Sequence, residues 1–245
     1  MNYIKVNREW KIAYSYLVFG VIMLLAYIFT HEYELAVVSE LIFIAVYFIH
    51  SFLYYNIKYT LKFFGVTYIL ALGIEEIGLH SGIPFGHYYY TAVLGPKIFG
   101  VPLAIPFLWS SLLYFTLIAA DNNIFKAAFL MMLLDLSFDP RFSMHIWHWV
   151  TPGIYFGVPL INFIGWFISS LIIYYVISKI ICKKDNYDIN GIIFYGMFGI
   201  FQGIEDIVVG LFLLSFISFA MFMLAIYFLL ASYNHKIRQK PLKIY

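Results

Sequence analysis

Apolar runs long enough to cross a lipid bilayer recur along the whole chain, at about 12–30, 35–55, 61–78, 100–120, 124–141, 158–181, 190–204 and 207–232. In hydrocarbon such a run must satisfy its own backbone hydrogen bonds, and a helix does so within one segment. The expected fold class is therefore all-α, a polytopic transmembrane helical bundle. Composition points the same way: 63% of residues are hydrophobic, 11% are charged and the mean hydropathy is +0.87, far from soluble globular values. The 245 residues leave room for about eight spans joined by short loops, which predicts a single integral membrane domain over 1–245 in the cell membrane.

Charge placement decides between seven spans and eight. With alternating spans, every basic residue except Lys97 and Arg141 falls on the side of the N-terminal flank and of the loops after the second, fourth, sixth and eighth spans. The positive-inside rule then puts both termini in the cytoplasm and requires an even number of spans. The N-terminal "MNYIKVNREWK" is a basic flank without a small-residue cleavage site, so no removable signal peptide is expected. A net charge of +2, scattered in sequence, predicts no nucleic-acid partner. The single cysteine, Cys182, has no intrachain partner for a disulfide.

Against this apolar background the acidic groups stand out. Glu75 and Glu76 end the third span, Asp135 and Asp139 end the fifth, and Glu205 and Asp206 lie at the junction of the seventh and eighth. The adjoining outer loops, "GLHSGIPFGHYYYTAVLGPKIFGVP" and "RFSMHIWHWVTPGIYFGVP", add His80, His87, His145 and His148. Ionised carboxylates inside a bilayer are costly, so they face a cavity and are paired or protonated. Asp135 and Asp139 are four residues apart, which puts both on one face of a helix, about 6 Å apart along its axis. Pro140 is expected to end the span at Asp139. Two such acids suit proton transfer: one donates while the other orients water or steadies a cation. Capping of helix ends, or pairing with Arg141, is the alternative. For Glu205 and Asp206 a solvated turn competes with any functional reading.

His145 and His148 are spaced to share a metal with a carboxylate, but that spacing arises often by chance, and Trp and His are at home at the membrane interface. No metal site is assigned. Dense His-rich boxes, a Gly-x-Ser-x-Gly elbow, a phosphate-cradling Gly loop and a DDxxD pair are all missing from the sequence. Aromatic residues are abundant, with 26 Phe, 22 Tyr and 5 Trp. Most would face lipid, yet Tyr88, Tyr89, Tyr90, Trp147, Trp149 and Tyr155 stand near the carboxylates, where their π faces suit a developing carbocation.

The strings "EEIGLHSGIPFGHYYYTAVLG", "GVPLAIPFLW", "DPRF", "WHW" and "GIYFGVPLINFIGW", within about 75–166, resemble the membrane carotenoid-biosynthesis family of bisanhydrobacterioruberin, γ-carotene and lycopene hydratases. The resemblance implies addition of water to the terminal isopropylidene double bond of a long acyclic or monocyclic carotenoid, with no cofactor. The partners it implies are a membrane-embedded carotenoid or other long isoprenoid and the bilayer itself. Its pattern falls on Glu75 or Glu76 and on Asp139, which with Asp135 from the shared helix face are the catalytic candidates. It also falls on Phe85, Tyr88, Tyr90, Trp147, Trp149, Tyr155, Asn162 and Trp166, expected against substrate, and the loop residues His145 and His148 join them as candidates. Glu76, His145 or Asn162 is the expected holder of water. An end-group cyclase, a transporter and a structural partner in a lipid-synthesis complex are the rival readings.

Overall fold

The computed structural model describes residues 7–30, 33–181 and 189–238. Lys5, Cys182, Lys183, Lys184, Lys240 and Lys243, which entered the charge and cysteine arguments, lie outside the described residues. Among the described residues eight helices appear near the expected places: α1 (Arg8–Thr30), α2 (Tyr33–Tyr54), α3 (Ile57–Ser81), α4 (Ala104–Ala119), α5 (Ile124–Phe142), α6 (Leu160–Ile180), α7 (Ile189–Val208) and α8 (Phe212–Arg238). Among the described residues, α3, α6, α7 and the Phe212–Ala231 part of α8 are long and apolar enough to cross a membrane. Sequence neighbours pack together, α1 on α2, α3 on α4, α5 on α6 and α7 on α8, while α4 and α5 also meet α7.

Local signals set the helix ends. The Asn56 side chain accepts from Tyr59 N at 2.9 Å at the start of α3, and Gly82, at φ 75°, closes it by donating to Gly78 O. At the start of α5 the Asn123 side chain accepts from Lys126 N at 3.0 Å. That helix does not stop at Asp139: it runs through Pro140 to Phe142, with Ser143 N bonded to Asp139 O at 2.9 Å. Proline has no N–H to give to the carbonyl four residues back, Leu136 O. The Tyr155 hydroxyl donates to that oxygen at 2.9 Å instead, so a loop side chain replaces the missing backbone donor. Tyr155→Phe should therefore lose about 1 kcal/mol of stability, measurable as an earlier thermal unfolding transition in detergent.

The loop after α3 and the loop after α5 pair with each other. Strand β1 (Tyr88–Tyr90) runs antiparallel to β4 (Trp147–Trp149), in the register Tyr88 with Trp149, Tyr89 with His148 and Tyr90 with Trp147. Two short strands between them, β2 (Lys97–Ile98) and β3 (Val101–Pro102), form a separate hairpin. Because side chains alternate along a strand, Tyr88, Tyr90, Trp147 and Trp149 all turn inward, buried, over the ends of the helices. Phe85 is seated between α3 and α6. A Cβ at Gly78 would lie 2.8 Å from Phe85 Cδ2, and one at Gly165 would lie 2.8 Å from both Phe85 Cδ1 and Pro84 O. The ring can move but the carbonyl cannot without the loop, so Gly165→Ala should cost about 1–3 kcal/mol, read from the unfolding temperature of the purified protein.

Glu205 and Asp206 do not form a solvated turn. They lie inside the last turns of α7, 4% and 0% exposed, because α7 continues past the expected end at 204 and packs there against α5 and α8. Arg141 compensates them, with Nη1 2.7 Å from Glu205 Oε2 and 3.7 Å from Asp206 Oδ1. Its Nη2 donates to Gln202 Oε1 at 2.7 Å, and Asp206 Oδ2 accepts from Ser137 and Ser218 at 3.1 and 2.7 Å. Arg141 thus enters this knot rather than pairing with Asp135 or Asp139.

Candidate active site

Under the β1–β4 ribbon lies a small, partly open cavity, with a wall drawn from α3, α4, α5, α6, Phe85 and the four inward aromatics of the ribbon. Two acidic groups reach it from opposite sides of the helical core. Glu75, on α3, accepts from Tyr90 at 2.8 Å and from Tyr88 on Oε2, and from Trp109 Nε1 at 2.8 Å on Oε1. Three donors on one carboxyl group hold it in a single orientation. Burial pushes the Tyr88 and Tyr90 phenols well above their ordinary range, and the neighbouring Glu75 charge adds to this, so both stay neutral donors.

The second acidic element is a pair. Asn162, in the first turn of α6, donates through Nδ2 to Asp135 Oδ2 at 2.7 Å and to Asp139 Oδ2 at 2.5 Å. The two carboxyl groups stand one helical turn apart on α5, 0% and 2% exposed, and one amide nitrogen draws them together. Asp139 lies on the cavity wall and Asp135 behind it. α5 packs against α6, whose first turn after Pro159 carries Asn162; farther along α6 the missing side chain of Gly165 leaves space for Phe85.

Aromatic rings fill the rest of the wall. Trp109 and Trp166 stack at 4.3 Å, Tyr88 and Tyr90 meet edge to face at 5.5 Å, and Tyr90 meets Trp147 the same way at 5.9 Å. Trp149 is fixed by its Nε1 donating to Phe85 O at 3.1 Å. No lysine, arginine or histidine among the described residues lines the cavity. Among the described residues, no group of three or more His, Cys, Asp or Glu side chains is placed to hold a metal ion.

A family model for carotenoid biosynthesis proteins matches residues 15–230. The chain belongs to this carotenoid biosynthesis family. One curated relative, the bisanhydrobacterioruberin hydratase of Haloarcula japonica, is 30% identical over 115 residues, which cover 42% of this chain and 39% of that protein. The match thus spans well under half of the relative's length. No solved structure matches the chain.

Within this carotenoid biosynthesis protein, most of the residues singled out in the sequence converge. Glu75, Phe85, Tyr88, Tyr90, Asp139, Trp147, Trp149, Asn162 and Trp166 all line the cavity. Others do not reach it. Glu76, one residue on, is half-buried away from the wall, and His145 is exposed. His148 lies on the outer side of the ribbon with its ring 5.6 Å from Tyr89. Tyr155 sits behind α5, where burial, then the charges of Asp206 and Asp135, push its phenol up to about 12. The sequence reading missed Trp109, Ile105, Leu108 and Phe138 on the wall. Trp109 had a signal: it ends the string "GVPLAIPFLW", but nothing local ties it to Glu75, 34 residues earlier.

Proposed function

We propose that the chain is a carotenoid hydratase, adding water to the terminal isopropylidene double bond of a long acyclic or monocyclic carotenoid of the C50 bisanhydrobacterioruberin or C40 lycopene and γ-carotene type. One observation carries the reading: Asp139, backed by Asp135 through the shared Asn162 amide, and the separately held Glu75 line the same aromatic cavity. The cavity is small and takes at most one end of such a substrate, with the remaining polyene left outside.

In the proposed reaction the Asp135–Asp139 pair holds one proton between its two groups, as close carboxylates do. Asp139, on the wall, gives that proton to the CH carbon of the double bond, and the positive charge appears on the carbon bearing the two methyl groups. The ring faces of the wall and the Glu75 carboxylate stabilise it. Water bonds to the cationic carbon through oxygen, and one of its protons returns to the Asp135–Asp139 pair. The acid is regenerated, the product is a tertiary alcohol, and the sum is alkene plus water. Asn162 holds the pair in place and is the polar wall residue best suited to orient the water.

The placement that accompanies this reading is a single domain with eight spans in the cell membrane, both termini cytoplasmic and the cavity near the outer surface, supported by the sorting of basic residues. The test is expression in hosts that accumulate lycopene or an acyclic C50 carotenoid, followed by mass spectrometry of the pigments. Products heavier by one or two waters are expected. Unchanged mass with a shifted absorption spectrum would instead identify an end-group cyclase, because the same cation closes on its own chain when no water adds.

A further inference from the structure

The charge balance of the cavity points beyond an uncharged substrate. Glu75 and Asp139 line it, and among the described residues no basic side chain does. Arg141, two residues from Asp139, turns to Glu205 and Gln202 instead. Both oxygens of Glu75 accept from neutral donors, Tyr88, Tyr90 and Trp109, a set that fits an ionised carboxylate. Tyr88 and Tyr90 are inclined at 82°, and Tyr90 and Trp147 at 79°, so neighbouring rings present faces in different directions around one space. Aromatic faces at several angles, a carboxylate among them and no competing cation make up the recognition chemistry of a quaternary or tertiary ammonium.

We propose that the cavity is a binding site for lipophilic tertiary ammonium ions, held by its aromatic faces and the Glu75 carboxylate. For the natural occupant the inference rests on the hydratase reading; for the ligand it needs only the cage. Protonating an isopropylidene end gives R–CH2–C⁺(CH3)2. The ammonium R–CH2–NH⁺(CH3)2 carries the same charge at the same position and the same carbon substituents, on a tetrahedral rather than a planar centre, and does not react. A site built to stabilise the first should bind the second more tightly than the neutral R–CH2–CH(CH3)2. A diphosphate-ended isoprenoid is disfavoured by the same wall, because its charge would face carboxylates with no basic partner.

The probes are an N,N-dimethylamine on an isoprenoid chain and its hydrocarbon isostere, titrated into the full chain in lipid nanodiscs at a pH where the amine is protonated. Tryptophan fluorescence reports binding, since four of the five tryptophans, Trp109, Trp147, Trp149 and Trp166, line the cavity. The ammonium is expected to bind about tenfold tighter than the isostere or better. In Glu75→Gln, and in Trp149→Leu, that preference should fall toward parity. Equal affinity in the unsubstituted protein overturns the inference, and so does a preference that survives both substitutions, which would place the cation at the lipid surface. If Glu75→Gln does not fold, Trp149→Leu and the unsubstituted comparison still decide. Ammonium preference without hydration of any carotenoid would retire the hydratase reading and keep the site. Hydration with equal affinities would retire this inference alone.

Discussion

Asp139→Asn should abolish hydration, lowering the rate by about 10²–10⁴-fold at equal protein level. The substitution keeps the size of the side chain and an oxygen that can accept from Asn162 Nδ2, now 2.5 Å from Asp139 Oδ2. What it removes is the proton. Its measure is the ratio of hydrated to unhydrated carotenoid in extracts, with membrane insertion checked by the amount of protein in the membrane fraction. Asp135→Asn should impair the reaction less, because Asp139 on the wall keeps its carboxyl group, although it no longer shares a proton with a partner. The adjacent glutamates separate in the same assay: Glu75→Gln should be strongly impaired, since Glu75 lies on the wall under three donors, whereas Glu76→Gln should stay close to the unsubstituted rate. Full hydration by Asp139→Asn would remove Asp139 from the acid role.

Arg141→Ala should have the largest effect on stability, about 3–5 kcal/mol. Arg141 is the cation within reach of Glu205 and Asp206, at 2.7 and 3.7 Å, and both carboxyl groups are buried. Removing it leaves two acidic groups in an apolar helix interface and cuts the link from α5 to Gln202 on α7. The guanidinium also lies 4.6 Å from the centroid of the Phe142 ring, so packing is lost as well as charge. The expected result is a much lower unfolding temperature in detergent, or loss of the protein from the membrane. Combining Arg141→Ala with Glu205→Gln and Asp206→Asn should restore part of the loss, because the uncompensated charge is then gone. A triple variant no better than Arg141→Ala would show that the arginine acts through its packing and its hydrogen bond to Gln202 instead.

Much of this protein follows from short-range pattern. Helix positions were legible because each apolar run is continuous in sequence and bilayer-spanning length is a local property. The shared face of Asp135 and Asp139 was legible for the same reason, since residues four apart on a helix are neighbours wherever the helix goes. The end of α5 was not. Local preference alone stops a helix before Pro140, and the structure carries it onward while Tyr155, 19 residues from Leu136, supplies that carbonyl with the donor that proline lacks.

The choice between Glu75 and Glu76 was also out of reach of the sequence. Adjacent helical residues point about 100° apart, and which one meets the cavity depends on how α3 is turned against α4 and β1. The inward sides of the outer loops became defined only when residues 88–90 and 147–149 paired, because register decides which alternate side chains share a face. Arg141 could be read as a partner for Asp135 or Asp139 by proximity in sequence; packing of α7 against α5 gave it Glu205 and Asp206 instead. The sequence by itself determined which segments are helical and which residue types are gathered near one end of the bundle. Only the tertiary structure decided which of them face one another, because those contacts join residues tens of positions apart and depend on how whole helices are rotated and docked.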